Sequence, residues 1–570
     1  MPSNDKRVVE VIKRSGFDKS FRNSLSAFCG TLVPIFIDEV IPDTKVNLKI
    51  NLATAMAPLV SDTYMNVRLR VEAFAVPHRL CQANFESFFA DYPQKAKSDV
   101  SDLTQEVDFN ACMPLIRVRS NVNSEQNLLS VLTGNSSLFD YFGGAIVSGA
   151  YNLDVVSAPF VAYHLIWQEW YRNPRVQKPA FMKFYGSSNT NDFSVGSSNP
   201  YSFKLPFYSF AFDANGVQPT TKPNTASGNS DLNHYILADG VNILSLRQRN
   251  FGLDYFTSAM VEPQQGDMAH VVVPSADMPS GITGFTIAAL RSANSIQQFR
   301  ERNNLTSPRY QQQIYARYGT APSDGVIQRP VLIGAASYDV YSHGVTQTSS
   351  AFDADAASSG ASGPFGGSLG NRAGNGFASG SDFIISGFHA KEPMYIIVLA
   401  SLVPEVTYAQ VENPIWRRYK GLGSISDMAN GMLQNVGPEP IYKGQLSAGN
   451  PANYSSIFAY SDRYSTWMFK ANEVHGELNS YNNGTLKSFV LQRVFGAPPS
   501  YGSSFLEIPT SYLDPVLQFD SSTTKCTYWL DIAFDYKVSM PLMEYCIPSL
   551  QNPAYEHGKS IVLRKNGQLL

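Results

Sequence analysis

The sequence predicts a mainly β fold, a β-sandwich whose long inter-strand connections carry short helices. Three observations predict it. Segments near both ends of the chain alternate apolar and polar residues with period two, the mark of a half-buried strand. Helical patterns are confined to the middle. Charged residues make up only 16% of the 570 positions, while Phe (35) and Tyr (30) are plentiful enough to fill a large β core or to cover subunit contacts.

The elements follow in chain order. Leu32–Ile41 (LVPIFIDEVI) reads as a strand, and Pro34 within it marks an edge or a bulge. In Val46–Leu52 the apolar set is Val46, Leu48, Ile50 and Leu52, against Asn47, Lys49 and Asn51. In Met65–Ala73 the apolar set is Met65, Val67, Leu69, Val71 and Ala73, against Asn66, Arg68, Arg70 and Glu72. Pro159–Arg172 (PFVAYHLIWQEWYR) has a helical pattern that stops at Asn173-Pro174. Ile287–Arg302 and Tyr310–Tyr318 are helical as well, separated by Pro308 and closed by Gly319. Near the end, Tyr528, Leu530, Ile532, Phe534, Tyr536 and Val538 alternate with Trp529, Asp531, Ala533, Asp535 and Lys537. No repeat of fixed period interrupts this order. We therefore expect one domain over 31–570, preceded by a basic arm over 1–30. Residues 186–230 and 346–381, rich in Gly and Ser, are expected as flexible loops, because such composition buries little apolar surface.

Charge and cysteine usage exclude several classes. A net charge of −3, from 44 basic and 47 acidic residues, is too acidic for a coat that neutralises nucleic acid by itself. The five cysteines, Cys29, Cys81, Cys112, Cys526 and Cys546, are widely spaced and form no CxxC, which argues against a disulfide framework or zinc site and for a reducing cytoplasm. The N-terminal twenty residues lack the apolar stretch of a signal peptide. The longest apolar run, Tyr395–Val403, is too short to span a bilayer, so no membrane insertion is expected. None of the eight histidines has metal-ligand spacing, and the Gly-rich Gly360–Gly367 lacks the lysine of a phosphate-binding loop. Asp38 and Glu39 are neighbours on a strand, so they point to opposite faces rather than forming an acid/base pair. No catalytic residue, metal ligand or cofactor site is expected, and the chain is not read as an enzyme.

Read in order, several segments resemble the major capsid protein of microviruses, particularly of the gokushovirus branch. They begin with RSGFDKSF at Arg14–Phe21 and LVPIFIDEVIPDT at Leu32–Thr44. Phe74–Leu80 (FAVPHRL) and Ile166–Arg172 (IWQEWYR) come next, then Leu246–Gly266 with its Asp-Tyr-Phe-Thr-Ser stretch and Pro-Gln-Gln-Gly. QQFRERN and PRYQQQIYARYG follow within Leu290–Gly319, then IQRPVLIG at Ile327–Gly334 and FAYSDR at Phe458–Arg463. Together they span most of the chain in family order. The family's long insertion after the Pro-Gln-x-Gly segment, which builds threefold protrusions, is reduced here to Asp267–Gly284, so a large spike is not expected there.

The resemblance implies a viral jelly-roll, mainly β, forming a small T=1 icosahedral bacteriophage shell around circular single-stranded DNA. It implies pentamers of this chain, a small basic DNA-packaging protein, a pilot or minor capsid protein and a host surface receptor as partners. The chain would be made and assembled in the bacterial cytoplasm and reside in the virion. Candidate nucleic-acid contacts are the basic residues of the termini: Lys6, Arg7, Lys13, Arg14, Lys19 and Arg22, then Lys559, Arg564 and Lys565. Phe17 and Phe21 among the N-terminal cations are suited to stacking on unpaired bases. Solvated termini are the bland alternative for these residues. Two other functions fit parts of the sequence. A jelly-roll carbohydrate-binding protein or glycan-active enzyme would share the strands and aromatics but requires a cleft. A phage spike or tail protein would show fibre repeats.

Overall fold

The computed structural model describes residues 14–61, 66–81, 138–144, 151–180, 243–263, 287–305, 309–319, 328–347, 372–417, 438–447, 456–482, 484–517 and 526–542, six short stretches that hold further strands, and a few residues between. In chain order the strands are β1 (Lys6–Val9), β2 (Ser15–Asp18), β3 (Phe21–Ala27), β4 (Val33–Val40), β5 (Thr44–Met56) and β6 (Val67–Pro77). Then come β7 (Gln94–Lys97), β8 (Glu106–Phe109), β9 (Leu115–Ser120), β10 (Tyr151–Val156), β11 (Val331–Gln347), β12 (Arg372–Ala390) and β13 (Met394–Pro404). The last are β14 (Glu439–Tyr442), β15 (Ile457–Ser461), β16 (Tyr528–Met540), β17 (Val562–Lys565) and β18 (Gln568–Leu569). The helices used below are α1 (His78–Cys81), α2 (Leu138–Tyr141), α3 (Ala158–Ile166), α4 (Ile287–Leu305) and α5 (Tyr310–Tyr318).

Nine strands form one antiparallel sheet, in the order β2-β16-β5-β12-β11-β6-β13-β4, with β3 also pairing β16. Inward residues from both halves of the sheet meet in a single core. Val46, Leu48, Ile50 and Leu52 of β5 share it with Leu530, Ile532, Phe534 and Tyr536 of β16, and with Ile396, Val398 and Leu402 of β13. The alternation read from the sequence is the burial pattern of the strands: both β5 and β16 bury every second residue. The expected mainly β architecture, with helices in the inter-strand connections, is what the chain adopts.

β13 is buried on both faces, which explains its continuous apolar run. Ile396, Val398 and Ala400 face the main core, whereas Tyr395, Ile397 and Leu399 belong to a second cluster on the outer side. That second cluster is built by α3, which packs Phe160, Val161, Tyr163, Leu165 and Ile166 over β13 and β6. A strand covered on both sides reads as unbroken hydrophobicity. Among the described residues no helix is long and apolar enough to cross a membrane. β4 ends the sheet order, and its register with β13 shifts at Pro34, so this proline lies on an edge strand beside a bulge. The expected helices are present too, with α3 widening into a π turn at Trp167–Tyr171 and α5 closed by Gly319 in the left-handed region.

Two expected boundaries are corrected. The basic arm over 1–30 does not lie apart from the domain throughout, because β2 and β3 occupy residues 15–18 and 21–27 and pair with β16 in the main sheet. Leu25 and Phe17 pack against the core, which the basic residues around them obscured. The segment 346–381 is not flexible throughout either: residues 372–381 are strand β12, in register with Thr54, Ala53 and Leu52 of β5. The glycines there serve close packing. A Cβ on Gly380 would sit 2.0 Å from the ring of Tyr338, and one on Gly376 2.8 Å from Met56 Sδ. The rest of that segment, 348–371, and all of 186–230 lie outside the described residues.

The sheet is tightest at Gly334 of β11, where an added Cβ would lie 1.7 Å from the carbonyl oxygen of Ile384. Backbone cannot swing aside as a side chain can. Gly334→Ala is therefore expected to lower the unfolding free energy by about 3 kcal/mol, against less than about 0.5 kcal/mol for the exposed control Ser337→Ala. Urea denaturation of the two variants checks this, and equal midpoints would contradict it.

Candidate nucleic-acid interface

The basic residues of the two termini fall into two groups. In the first, β1 pairs antiparallel with β17, and the register sets Lys6 opposite Lys565 and Arg7 opposite Arg564. Residues almost a full chain length apart thus share one ladder, which the sequence could not foretell. Directly opposed like charges destabilise a strand pair unless something neutralises them. Lys13 and Lys559 lie outside the described residues.

In the second group each cation meets a carboxylate. Arg14 forms an ion pair with Asp43 and donates to Ser539 O at 3.1 Å. Lys19 Nζ lies 2.5 Å from Asp38 Oδ2. Arg22 grips Asp531 with two nitrogens, Nε donating to Oδ1 at 2.8 Å. The Arg22 side chain is 70% exposed, and such surface pairs contribute little to stability. The aromatics divide similarly. Phe17 packs on the core, while Phe21 stacks on Phe534 with ring centroids 4.7 Å apart.

Phe21 and Arg22 border a groove of about 780 Å³ at the seam where β3 and β4 face each other. No ladder joins these two strands; side chains do. Asn23 Nδ2 donates to Ile35 O at 3.0 Å, and Tyr141 Oη donates to Ser26 O at 2.6 Å. Asp38, ion-paired with Lys19, also accepts from Tyr536 Oη at 2.6 Å. The edge carbonyls of Ser26 and Ile35 are thereby satisfied without a further strand.

The histidines and carboxylates that might have formed a reaction centre have structural partners. His164 is wholly buried; its Nε2 donates to Ile243 O at 2.8 Å and its Nδ1 accepts from Arg247 Nε at 2.9 Å. This arrangement requires the neutral ring, and burial with the adjacent Arg247 holds its pKa well below the usual value. His78 is 2% exposed, stacks 4.1 Å from the Tyr395 ring, and lies 3.5 Å from Glu39 Oε1. His389 pairs with Asp43 at 2.6 Å, and His475 with Glu473 at 3.2 Å. Asp38 and Glu39 engage different neighbours, as adjacent strand residues should. Among the described residues no three His, Cys, Asp or Glu side chains gather where a metal ion would sit.

Two large aromatics, Trp529 and Phe377, stand on the outward face of the sheet. Trp529 stands among the polar residues of an alternating strand, and that misplaced aromatic is the signal that would have found it. Phe377 lies in a Gly/Ser-rich stretch whose composition hides the strand.

Comparison with known proteins covers nearly the whole chain. A family profile described as "Capsid protein (F protein)" matches residues 7–550. The chain is 26% identical over 555 residues to "Capsid protein VP1" of Bdellovibrio phage phiMH2K, an alignment that covers 94% of this chain and 95% of the relative. It is 23% identical to "Capsid protein VP1" of Chlamydia phage 1, over 95% of this chain and 96% of that one. It is 22% identical to "Capsid protein VP1" of Spiroplasma virus 4, over 92% of each.

Burial pushes the His78 pKa down to about 4. The unfolded chain therefore binds a proton between pH 6.5 and about 4 that the folded chain refuses, so stability falls as pH drops through that window. Wild-type protein is expected to lose up to roughly 3 kcal/mol between pH 7 and pH 4 from this residue alone. Denaturant titrations across the window should show a shallower pH slope for His78→Gln; identical slopes would refute the assignment.

Proposed function

Since the chain belongs to the microvirus capsid protein (F protein) family and is a structural protein of the phage virion, we propose that its copies close into a T=1 icosahedral shell around a circular single-stranded DNA genome. The observation that carries this reading is the family match across residues 7–550, which leaves almost none of the chain for another activity. Closed symmetry lets identical subunits cover one another's apolar surface. Exposed large side chains fit such contacts, among them Trp416, Trp467, Met468 and Phe469.

The termini supply the proposed contact with the genome. Lys6, Arg7, Arg564 and Lys565 in one ladder form a basic cluster that a phosphate backbone would neutralise, and the opposed like charges support that reading. Arg14 and Arg22 reach phosphates only by giving up the exposed carboxylates of Asp43 and Asp531, an exchange of low cost, whereas Lys19 would leave the half-buried Asp38. Lys13 and Lys559 complete the proposed set. With a net charge of −3 the subunit cannot balance the genome alone, so a small basic DNA-packaging protein would share the interior. A pilot or minor capsid protein and a host surface receptor would complete the partners.

Native mass measurement should find particles of many identical copies assembled through fivefold clusters; monomers alone, with virions lacking this chain, would refute the shell. The triple variant Lys13→Ala/Arg14→Ala/Arg22→Ala is expected to package less DNA and to form particles whose stability depends less on salt. Unchanged packaging and unchanged salt sensitivity would remove the N-terminal segment from the proposed contact.

A further inference from the structure

A one-turn helix, Ser465–Met468, and the residue after it present three consecutive large apolar side chains at the surface. Trp467, Met468 and Phe469 are 59%, 60% and 61% exposed. The turn before them is built to hold them there. Tyr464 has φ 66°, in the left-handed region that bulky residues avoid. Glu439, itself 4% exposed, fixes that turn: its Oε1 accepts from Tyr464 N at 2.8 Å and its Oε2 from Thr466 N at 3.3 Å. Ser465 Oγ donates to Ser461 Oγ at 2.6 Å. A buried carboxylate has to be satisfied by donors, and here the donors are the backbone of this one turn. Strained backbone held so firmly points to a conformation pre-set for contact.

The groove at the β3–β4 seam matches this knuckle in size and charge. Its volume of about 780 Å³ lies in the range of sites that enclose a compact ligand. Leu25, Ile37, Phe142 and Trp529 supply apolar wall. The edge carbonyls of Ser26 and Ile35 are already satisfied by side chains, which favours side chains over an added strand as the occupant. Arg22 and Asp531 neutralise each other in the lining, which leaves Asp140 as an exposed carboxylate. Two exposed cations flank the knuckle: Arg463, bonded to the Tyr464 hydroxyl at 2.6 Å, and Lys470. The neighbouring Asp462 interacts with Arg175.

We propose that the Trp467–Phe469 knuckle of one copy seats in the β3–β4 groove of the next, with Arg463 and Lys470 beside Asp140. The proposal rests on the reading that copies of the chain close into a shell through fivefold clusters, and it names the contact. A ring of identical subunits needs two different, complementary patches on each chain. Knuckle and groove share no residue, so one chain gives the first and receives into the second. Trp467 and Phe469, at their exposure, offer about 200–300 Å² of contact, a large part of the roughly 800 Å² that a stable interface buries per partner. Interface centres are enriched in Trp, Phe and Met and depleted of charge. A phosphate backbone would instead require cations in the groove, where Asp140 repels it.

Paired cysteines test the contact. Met468→Cys combined with Ser24→Cys, Ser24 being an exposed lining residue of the groove, is expected to give disulfide-linked chains in assembled particles treated with a mild oxidant. Neither single variant should do so. Disulfides within one chain, or none in intact particles, would overturn the pairing and leave the shell standing. Trp467→Ala/Phe469→Ala is expected to lower particle yield about tenfold or more while the urea midpoint of the unassembled chain stays unchanged. Trp467→Phe/Phe469→Leu should restore assembly. Wild-type yield from the alanine variant would also overturn the contact. Met468 should resist oxidation by hydroxyl radicals equally in empty and DNA-filled shells; protection in filled shells alone would assign the knuckle to the genome and sink the proposal. A wild-type chain that forms no particles would defeat the shell reading, and this contact with it.

Discussion

The ladder between β5 and β16 joins the two ends of the chain, and the rest of the molecule is arranged around it. Its partners are far apart in sequence; Thr54 Oγ1, for example, donates to Trp529 O across 475 positions at 3.0 Å. β16 is held on its other edge by β2 and β3, so the last long strand is inserted between strands from the first sixty residues. Closing so long a loop is entropically unfavourable until the whole ladder forms. Every connection between β6 and β16 must therefore leave and return to a sheet whose two ends are already committed. That constraint keeps one core between the two halves of the sheet, whatever the length of the connections.

Buried arginines anchor those insertions to the sheet. Arg493 lies within 4.2 Å of the Phe505 ring centroid and 4.4 Å of that of Phe251, and its Nη2 donates to Phe505 O at 2.7 Å. Tyr408 next to it donates to Asp254 Oδ2 at 2.7 Å, which joins segments around 250, 408 and 500. Arg247 does the same for the outer layer, through Asp239, His164 and the face of Trp167. A third arginine, Arg249, reaches Glu72 on β6 at 2.8 Å. A guanidinium suits these positions because it can donate to several groups while stacking on a ring. Removing a partner from such a buried set leaves a charge without compensation, which costs far more than the pair itself contributes. The segment Leu246–Gly266, matched to the family on sequence, owes its character to these clamps.

Alternation alone determined β5, β6 and β16, because a strand with one buried face must place an apolar residue at every second position. Helical periodicity with its Pro and Gly stops determined α3, α4 and α5. Charge and cysteine spacing narrowed the chemistry, and ordered motifs pointed to the family. Composition failed where packing reversed its meaning: Gly376 and Gly380 read as flexibility but make room for Met56 and Tyr338. The basic residues before position 23 read as an arm, yet β2 and β3 lie in the sheet because Phe17 and Leu25 find a core to enter. The candidate interface was legible only as a set of cations. That Lys6 and Arg7 meet Lys565 and Arg564, or that Trp529 lines up with Phe377 and Tyr341, depends on register between strands hundreds of residues apart. Register is set by which long-range ladder closes, and no local pattern carries that information.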